Sequence, residues 1–272
     1  MKEGDPMSKR GTGRTALITG ASSGFGVEFA KLFARDGYDV VLVARSVDKL
    51  EALAAQLRSR YGITATVLAE DLTDPAAPAT LAAALDAAGI TVDALVNNAG
   101  FATYGPFVEI SEDADLDLLK VNVVALTALT KRFLPGMLAR RSGQILNVAS
   151  TAAFQPGPLM AAYYASKAYV LSLSEALAEE VRGSGVTVTV LCPGPSATGF
   201  QARAAMEESQ LFQRMAVMDA GTVARIGYRA MQAGQTVVIP GWQNRIMALA
   251  PRFAPRAVTA RMVKGMQERV GQ

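Results

Sequence analysis

Within YYASK, residues 163–167, two adjacent tyrosines precede a lysine, a set of groups able to move a proton. Lys167 lies four residues after Tyr163 and three after Tyr164. On a helix either spacing brings an ammonium to the same face as a phenol, so spacing alone leaves open which tyrosine acts. A free phenol titrates at about 10, and a nearby positive charge favours its phenolate. The chain of 272 residues contains no histidine, which excludes Ser-His-Asp hydrolysis, histidine-ligated zinc and a histidine general base. Cys192 is the only cysteine, so no internal disulfide or CxxC site can form, and no metal site is expected. Inside VTVLCPG that cysteine reads as a small buried hydrophobe.

A second set of residues could hold phosphates. TGASSGFG, residues 19–26, follows an apolar run and opens a helical one. Gly20 permits a tight turn, Gly24 lets backbone approach a pyrophosphate, and Gly26 allows close packing of helix on sheet. The helix start then offers N–H groups and a positive dipole end. The spacing is G-x3-G-x-G rather than G-x-G-x-x-G, so the strand–turn–helix context carries the reading. The next apolar run ends VLVARS. An NAD site wants a carboxylate there, whereas Ala44 supplies none and Arg45 offers a guanidinium fork suited to a 2′-phosphate. NADP(H) is therefore the expected cofactor. Asp71, in EDL, is expected near an adenine edge, with a helix N-cap as the alternative.

These groups need a scaffold that brings strand ends together. Short β-branched runs are expected as strands at 15–20, 39–44, 64–70, 92–98, 143–150, 186–192 and 236–240. Helical stretches lie between them, the longer ones over 111–140, 162–182 and 198–232. Nearly continuous apolar strands separated by helices predict an α/β fold, a Rossmann-type doubly wound, seven-stranded parallel sheet in a single domain. Such sheets bind ligands at the carboxyl ends of their strands, which gathers Gly20, Ala44, Asp71, Asn97, Ser150 and Pro193.

Half of the residues are apolar and 19% are charged, which excludes a disordered chain. The net charge of +3 is uneven: residues 241–272 carry six Arg or Lys against Glu268, +5, leaving −2 for the rest. The body is thus no nucleic-acid binder. Residues 1–13 are charged and Gly-rich, without the apolar core of a secretory signal, and are expected to form a flexible lead in which Met7 is an alternative start. The uncharged run 142–166 holds Gln144, Asn147, Gln155, Gly157 and two prolines, which argues against a membrane helix. The expected division is the lead, a domain over 14–240, and a basic amphipathic tail over 241–272, in a cytoplasmic protein.

TGASSGFG, NNAG (97–100), Asn122 in KVNVVA, Ser150, YYASK and PG (193–194) stand in an order and spacing that resembles the short-chain dehydrogenase/reductase family, over roughly residues 14–240. The chain looks like that family's single-domain, NADP-preferring bacterial oxidoreductases. The family signature Y-x-[AS]-[SA]-K fits from Tyr163 and fails from Tyr164. The resemblance implies a catalytic set of Asn122, Ser150, Tyr163 and Lys167. In it Tyr163 is the acid/base, Lys167 and an oxidised nicotinamide lower its pKa, Ser150 holds the substrate oxygen, and Asn122 anchors a proton-relaying water. It also implies a cofactor site of Gly20, Ser22, Ser23, Gly24, Phe25, Gly26, Arg45, Ser46, Asp71, Leu72, Asn98, Ala99, Gly100, Tyr163, Lys167, Pro193, Gly194, Ser196 and Thr198.

Substrate contacts are expected from Ser150, Phe101, Tyr104, Phe154, Met160 and Phe200, under a lid over about 196–218 that carries Met206, Leu211, Phe212 and Met215. This apolar, Met-rich lining suits a hydrophobic carbonyl or secondary alcohol. The expected activity is NADP(H)-dependent hydride transfer, the alternatives being an epimerase or dehydratase of the same family or a non-catalytic NADP-binding sensor. A homodimer or homotetramer is expected. In the tail, Ile246, Leu249, Phe253, Ala257, Met262, Met266 and Val270 form an apolar series broken by Pro251 and Pro255, expected to cap a lid or subunit, with an anionic membrane surface as the alternative.

Overall fold

The computed structural model describes residues 11–197, 217–253 and 255–267. In chain order the elements are β1 (Thr15–Thr19), α1 (Gly24–Arg35), β2 (Asp39–Ala44), α2 (Val47–Tyr61), β3 (Ala65–Ala69), α3 (Ala77–Ala87) and β4 (Ala94–Asn97). Next come α4 (Glu112–Leu119), a π-helical segment (Lys120–Ala125), α5 (Leu126–Ala139), β5 (Gly143–Val148), α6 (Ala161–Glu180) and β6 (Val186–Leu191). The two-residue strands β7 (Ser196–Ala197) and β8 (Met218–Asp219) precede α7 (Ala220–Gln232), β9 (Val237–Val238), α8 (Trp242–Leu249) and α9 (Arg256–Gln267).

Seven strands pair in the order β3-β2-β1-β4-β5-β6-β9, every pair parallel. The order reverses between β1 and β4, the place where a doubly wound sheet opens a crevice. Both faces are covered, which is why the strands read as unbroken apolar runs. Ala16, Ile18, Val40 and Leu42 pack with Phe29, Phe33, Leu50 and Tyr228 on one side. Leu17, Val41 and Val43 pack with Leu81, Leu85, Leu129 and Met137 on the other. The expected sheet is thus the observed one, in a single domain.

Of two helical expectations one is met and one needs correcting. The stretch 111–140 is helical over 112–139, and its ladder widens to π geometry at Lys120–Ala125, where Asn122 is buried. Such a bulge adds a residue to a turn and re-aims the side chains it contains. The stretch 198–232 is helical, among the described residues, only from Ala220, where Asp219 accepts from Thr222 N at 2.8 Å and caps α7.

A buried polar chain braces the middle of the sheet. Asn97 Nδ2 donates to Thr130 Oγ1 at 3.1 Å and to Asn147 Oδ1 at 2.9 Å, and Asn147 Nδ2 donates to Ser174 Oγ at 2.9 Å. It joins β4 and β5 to α5 and α6, directly beneath the strand ends. Asn147→Ala would strand two buried partners and is expected to lower stability by about 2–3 kcal/mol. Thermal unfolding followed by circular dichroism reads this directly; an unchanged midpoint would show that the chain of bonds braces nothing.

Candidate active site

Along the carboxyl ends of β1, β2, β4, β5 and β6 runs a cleft of about 830 Å³. Its first wall is the turn from β1 into α1. A Cβ on Gly26 would sit 2.2 Å from the Gly20 carbonyl oxygen, so helix and turn meet this closely only because residue 26 is glycine. Ser22, Ser23, Gly24 and Phe25 face the cleft, and no acidic side chain stands in the first turn of α1 to oppose an anion. Thr19 ties this turn to the loop after β4: its Oγ1 accepts from Asn98 N and Ala99 N, both at 3.0 Å.

At the end of β2, Arg45 stands 3.8 Å from Asp71, both side chains open to solvent. Ser46 and Lys49 line the cleft beside them. Asp71 does not cap a helix. Its Oδ1 accepts from Thr73 N at 3.0 Å in a local turn, and the N-cap position of α3 is Ala76.

At the opposite end of the cleft Tyr163 and Lys167 are buried. Tyr163, on the first turn of α6, is hydrogen-bonded to Ser150. Burial pushes its phenol well above the ordinary value and the neighbouring Tyr164 adds to that, while the Ser150 bond opposes them. Ser150 leaves β5 with its Oγ accepting from Ala152 N at 3.1 Å. Lys167 Nζ donates to the Val148 carbonyl at 2.9 Å and lies 5.7 Å from the Tyr163 ring centre. Burial holds its pKa down to about 8. In the protein alone, desolvation is the largest influence on both groups.

Asn122 backs this arrangement and does not line the cleft. Its Oδ1 accepts from Phe101 N at 3.1 Å, and its Nδ2 donates to Phe101 O at 3.0 Å and to Ser166 Oγ at 3.1 Å. Gly100 lies against it: a Cβ there would stand 2.9 Å from Asn122 Oδ1 and 3.4 Å from Lys167 Nζ.

The cleft collects Gly20, Ser22, Ser23, Gly24, Phe25, Arg45, Ser46, Asp71, Leu72, Asn98, Ala99, Gly100, Tyr163, Lys167, Pro193, Gly194 and Ser196, with Ser150, Phe101 and Met160 at its apolar end. Thr198, Phe200 and the lid residues Met206, Leu211, Phe212 and Met215 lie outside the described residues. Two expected substrate residues are displaced. Phe154 packs against the cluster of Leu126, Val170 and Cys192, because the 3-10 turn Thr151–Phe154 carries it under α6. Tyr104 turns its hydroxyl to the Gln267 carbonyl instead of the cleft.

Sequence reasoning also missed lining residues. Lys49, on the first turn of α2, lines the cleft beside Arg45 and Ser46. Met247, Met266 and Gln267 carry no local signal, since α8 and α9 reach the cleft only through the tertiary fold. Gln267 is 1% exposed, and its Nε2 donates to Tyr164 Oη at 2.6 Å. Tyr164, whose role was open, thus lines the cleft and anchors α9, with burial raising its pKa to about 12 against the Gln267 bond.

Among the described residues no group of three or more His, Cys, Asp or Glu could hold a metal ion.

The site can be set beside known proteins. Residues 14–209 match the model of the short chain dehydrogenase family. A short chain dehydrogenase of Pseudocercospora fijiensis is 39% identical over 184 residues, 67% of this chain and 59% of that protein. A very-long-chain 3-oxoacyl-CoA reductase of Laccaria bicolor is 38% identical over 180 residues, 65% of this chain and 53% of that protein. The matches thus span between half and three-fifths of these curated relatives. Among solved structures, a short-chain dehydrogenase from Sphingobium yanoikuyae in complex with NADPH has a TM-score of 0.79 and 34% identity, covering 95% of this chain and 98% of that one. A bulky-bulky ketone specific alcohol dehydrogenase from Comamonas testosteroni has a TM-score of 0.75 and 29% identity, covering 95% and 96%. Family model, sequence relatives and fold agree, and this chain belongs to the short chain dehydrogenase family of oxidoreductases.

Proposed function

We propose that the protein is an NADPH-dependent reductase of hydrophobic ketones, or the reverse alcohol dehydrogenase, with Tyr163 as its acid/base. The observation that carries this reading is the buried Tyr163 hydroxyl bonded to Ser150, one helical turn from the buried Lys167. Bound NADPH would supply a hydride to a carbonyl carbon. Tyr163 gives its proton to the carbonyl oxygen, which Ser150 Oγ holds beside it. Tyr163 holds that proton at neutral pH, as a phenol does, and burial holds it more firmly, the state a reduction needs. Lys167, charged below about pH 8, steadies the phenolate left behind.

The glycine-lined turn, the anion-free first turn of α1 and the uninterrupted cleft suit a dinucleotide. Arg45 and Lys49 are the groups that would hold a 2′-phosphate, which favours NADP(H) over NAD(H). At the other end Phe101, Val121, Ala152, Met160, Met247 and Met266 offer an apolar lining. Asp117 also lines the cleft and is already ion-paired with Lys120 at 2.8 Å. The bulky ketones and long acyl chains in the names of its relatives agree with a large hydrophobic substrate.

Tyr163→Phe is expected to cut turnover by about a thousandfold while NADPH binding persists. Turnover of a ketone panel, alongside nucleotide titration, tests both halves, and full activity in the variant would remove Tyr163 from its role. Arg45→Ala is expected to weaken NADPH roughly tenfold to a hundredfold and leave NADH unchanged, read by fluorescence titration of the two nucleotides. Equal losses for both would sink the 2′-phosphate assignment.

Lys167 gives a prediction with a sign. Its folded pKa of about 8 lies below the ordinary 10.5, so the unfolded chain binds the extra proton between those values and stability rises with pH across that window. Below about pH 8 the full penalty stands, roughly 3 kcal/mol. Lys167→Met is expected to abolish turnover yet unfold later than the parent at pH 7, with the gain fading toward pH 10.5. A variant less stable than the parent at pH 7 would contradict this.

A further inference from the structure

The last two helices, α8 and α9, bury polar side chains beside Ala248 and Val263 and leave several large apolar ones exposed. Asn244, Thr259 and Gln267 are buried, Asn244 Nδ2 donating to Pro240 O at 2.7 Å and Gln267 held between Tyr104 and Tyr164. By contrast, Trp242 is 70% exposed, Ile246 57%, Phe253 89% and Met262 62%, with Leu249 and Val258 also open. The apolar series 246, 249, 253 and 262 that sequence periodicity would bury is the one that faces out. Trp242, Ile246 and Leu249, spaced by four and three residues, form one stripe along α8, and exposed Phe253 follows on the 3-10 turn Ala250–Phe253. Single exposed apolar residues are ordinary, but a stripe of large ones marks a contact surface.

Charge identifies the occupant. Residues 241–267 contain Arg245, Arg252, Arg256, Arg261 and Lys264 and no Asp or Glu, +5, while the remainder of the chain sums to −2. Arg245, Arg252, Arg261 and Lys264 are exposed. A second copy docking on this face through a two-fold axis would set five positive charges against five. A surface that is anionic outside and apolar beneath fits both features at once.

We propose that the outer face of α8 and α9 is a docking surface for an anionic lipid bilayer. Trp242, Ile246, Leu249 and Phe253 enter the boundary between headgroups and acyl chains, and Arg245 and Arg252 meet the phosphates. The inner sides of the same helices, through Met247, Met266 and Gln267, wall the apolar end of the cleft. Docking therefore holds that end at the lipid surface, where a lipophilic carbonyl would gather. The link to such a substrate rests on the proposed function; the docking itself does not. No helix among the described residues is long and apolar enough to cross a membrane, so the contact is peripheral.

Trp242 is the only tryptophan in the chain, so its emission reports this face alone. The full-length protein is titrated with phosphatidylcholine vesicles with and without phosphatidylglycerol, following Trp242 emission and co-sedimentation. The expected result is a blue shift and pelleting with the anionic vesicles, reversed by high salt, and little of either with phosphatidylcholine alone. Phe253→Ser, checked to unfold like the parent, weakens binding roughly tenfold or more, and Arg252→Gln serves if that variant does not fold. No shift or pelleting with anionic vesicles would overturn the proposal, as would undiminished binding by the variants. A concentration-dependent blue shift without lipid, lost in Phe253→Ser, would also overturn it by naming a second copy as the occupant.

Discussion

A parallel strand that stops leaves backbone N–H and C=O groups with no ladder to join, and in this protein side chains take up that task at several places around the cleft. Thr19 receives Asn98 N and Ala99 N, Asn122 holds both polar groups of Phe101, and Lys167 meets Val148 O. Buried backbone groups are as a rule partnered, and these bonds meet that need. The residues that complete the sheet are therefore also those that shape the reacting end of the cleft. Stability and chemistry are requirements on the same few side chains.

The same arrangement sets the charge states. Tyr163 and Lys167 are both buried, and desolvation pushes each toward its neutral form, the phenol upward and the amine down to about 8. Tyr163 sits in an apolar cluster with Leu118, Ala152, Met160 and Tyr164, which holds it as the neutral phenol, while Lys167 keeps its charge below about pH 8. A buried site of this kind strengthens the interactions of any charge that develops in it, which suits proton transfer to a carbonyl oxygen. The π segment carries Asn122, which holds the Phe101 backbone through two hydrogen bonds.

The cleft joins two unlike halves. One is built from the first part of the sheet, with glycine backbone, serines, Arg45 and Lys49. The other is closed by helices from the end of the chain, latched through Gln267 onto Tyr104 and Tyr164 and through Val263 into the same apolar cluster. Within one fold the dinucleotide half follows local motifs, while the substrate half depends on where the last helices land.

The seven strands were legible because each is short, β-branched and bounded by helical pattern, and a sheet covered on both faces permits nothing but continuous apolar runs. The glycine turn was legible from its strand–turn–helix context, whereas Ser150 and the choice of Tyr163 over Tyr164 beside Lys167 came from the family resemblance, since spacing on a helix fits either tyrosine. Other features were decided only by tertiary structure. The π segment at Lys120–Ala125 has no compositional mark, Phe154 follows a 3-10 turn away from the cleft, and Tyr104 is claimed by a residue 163 positions later. The tail shows the reason most clearly. Periodicity says that a helix has an apolar side, but which side is buried depends on the surface it meets. Here that surface offers hydrogen-bond partners to Asn244 and Gln267 and leaves Trp242 and Phe253 outside.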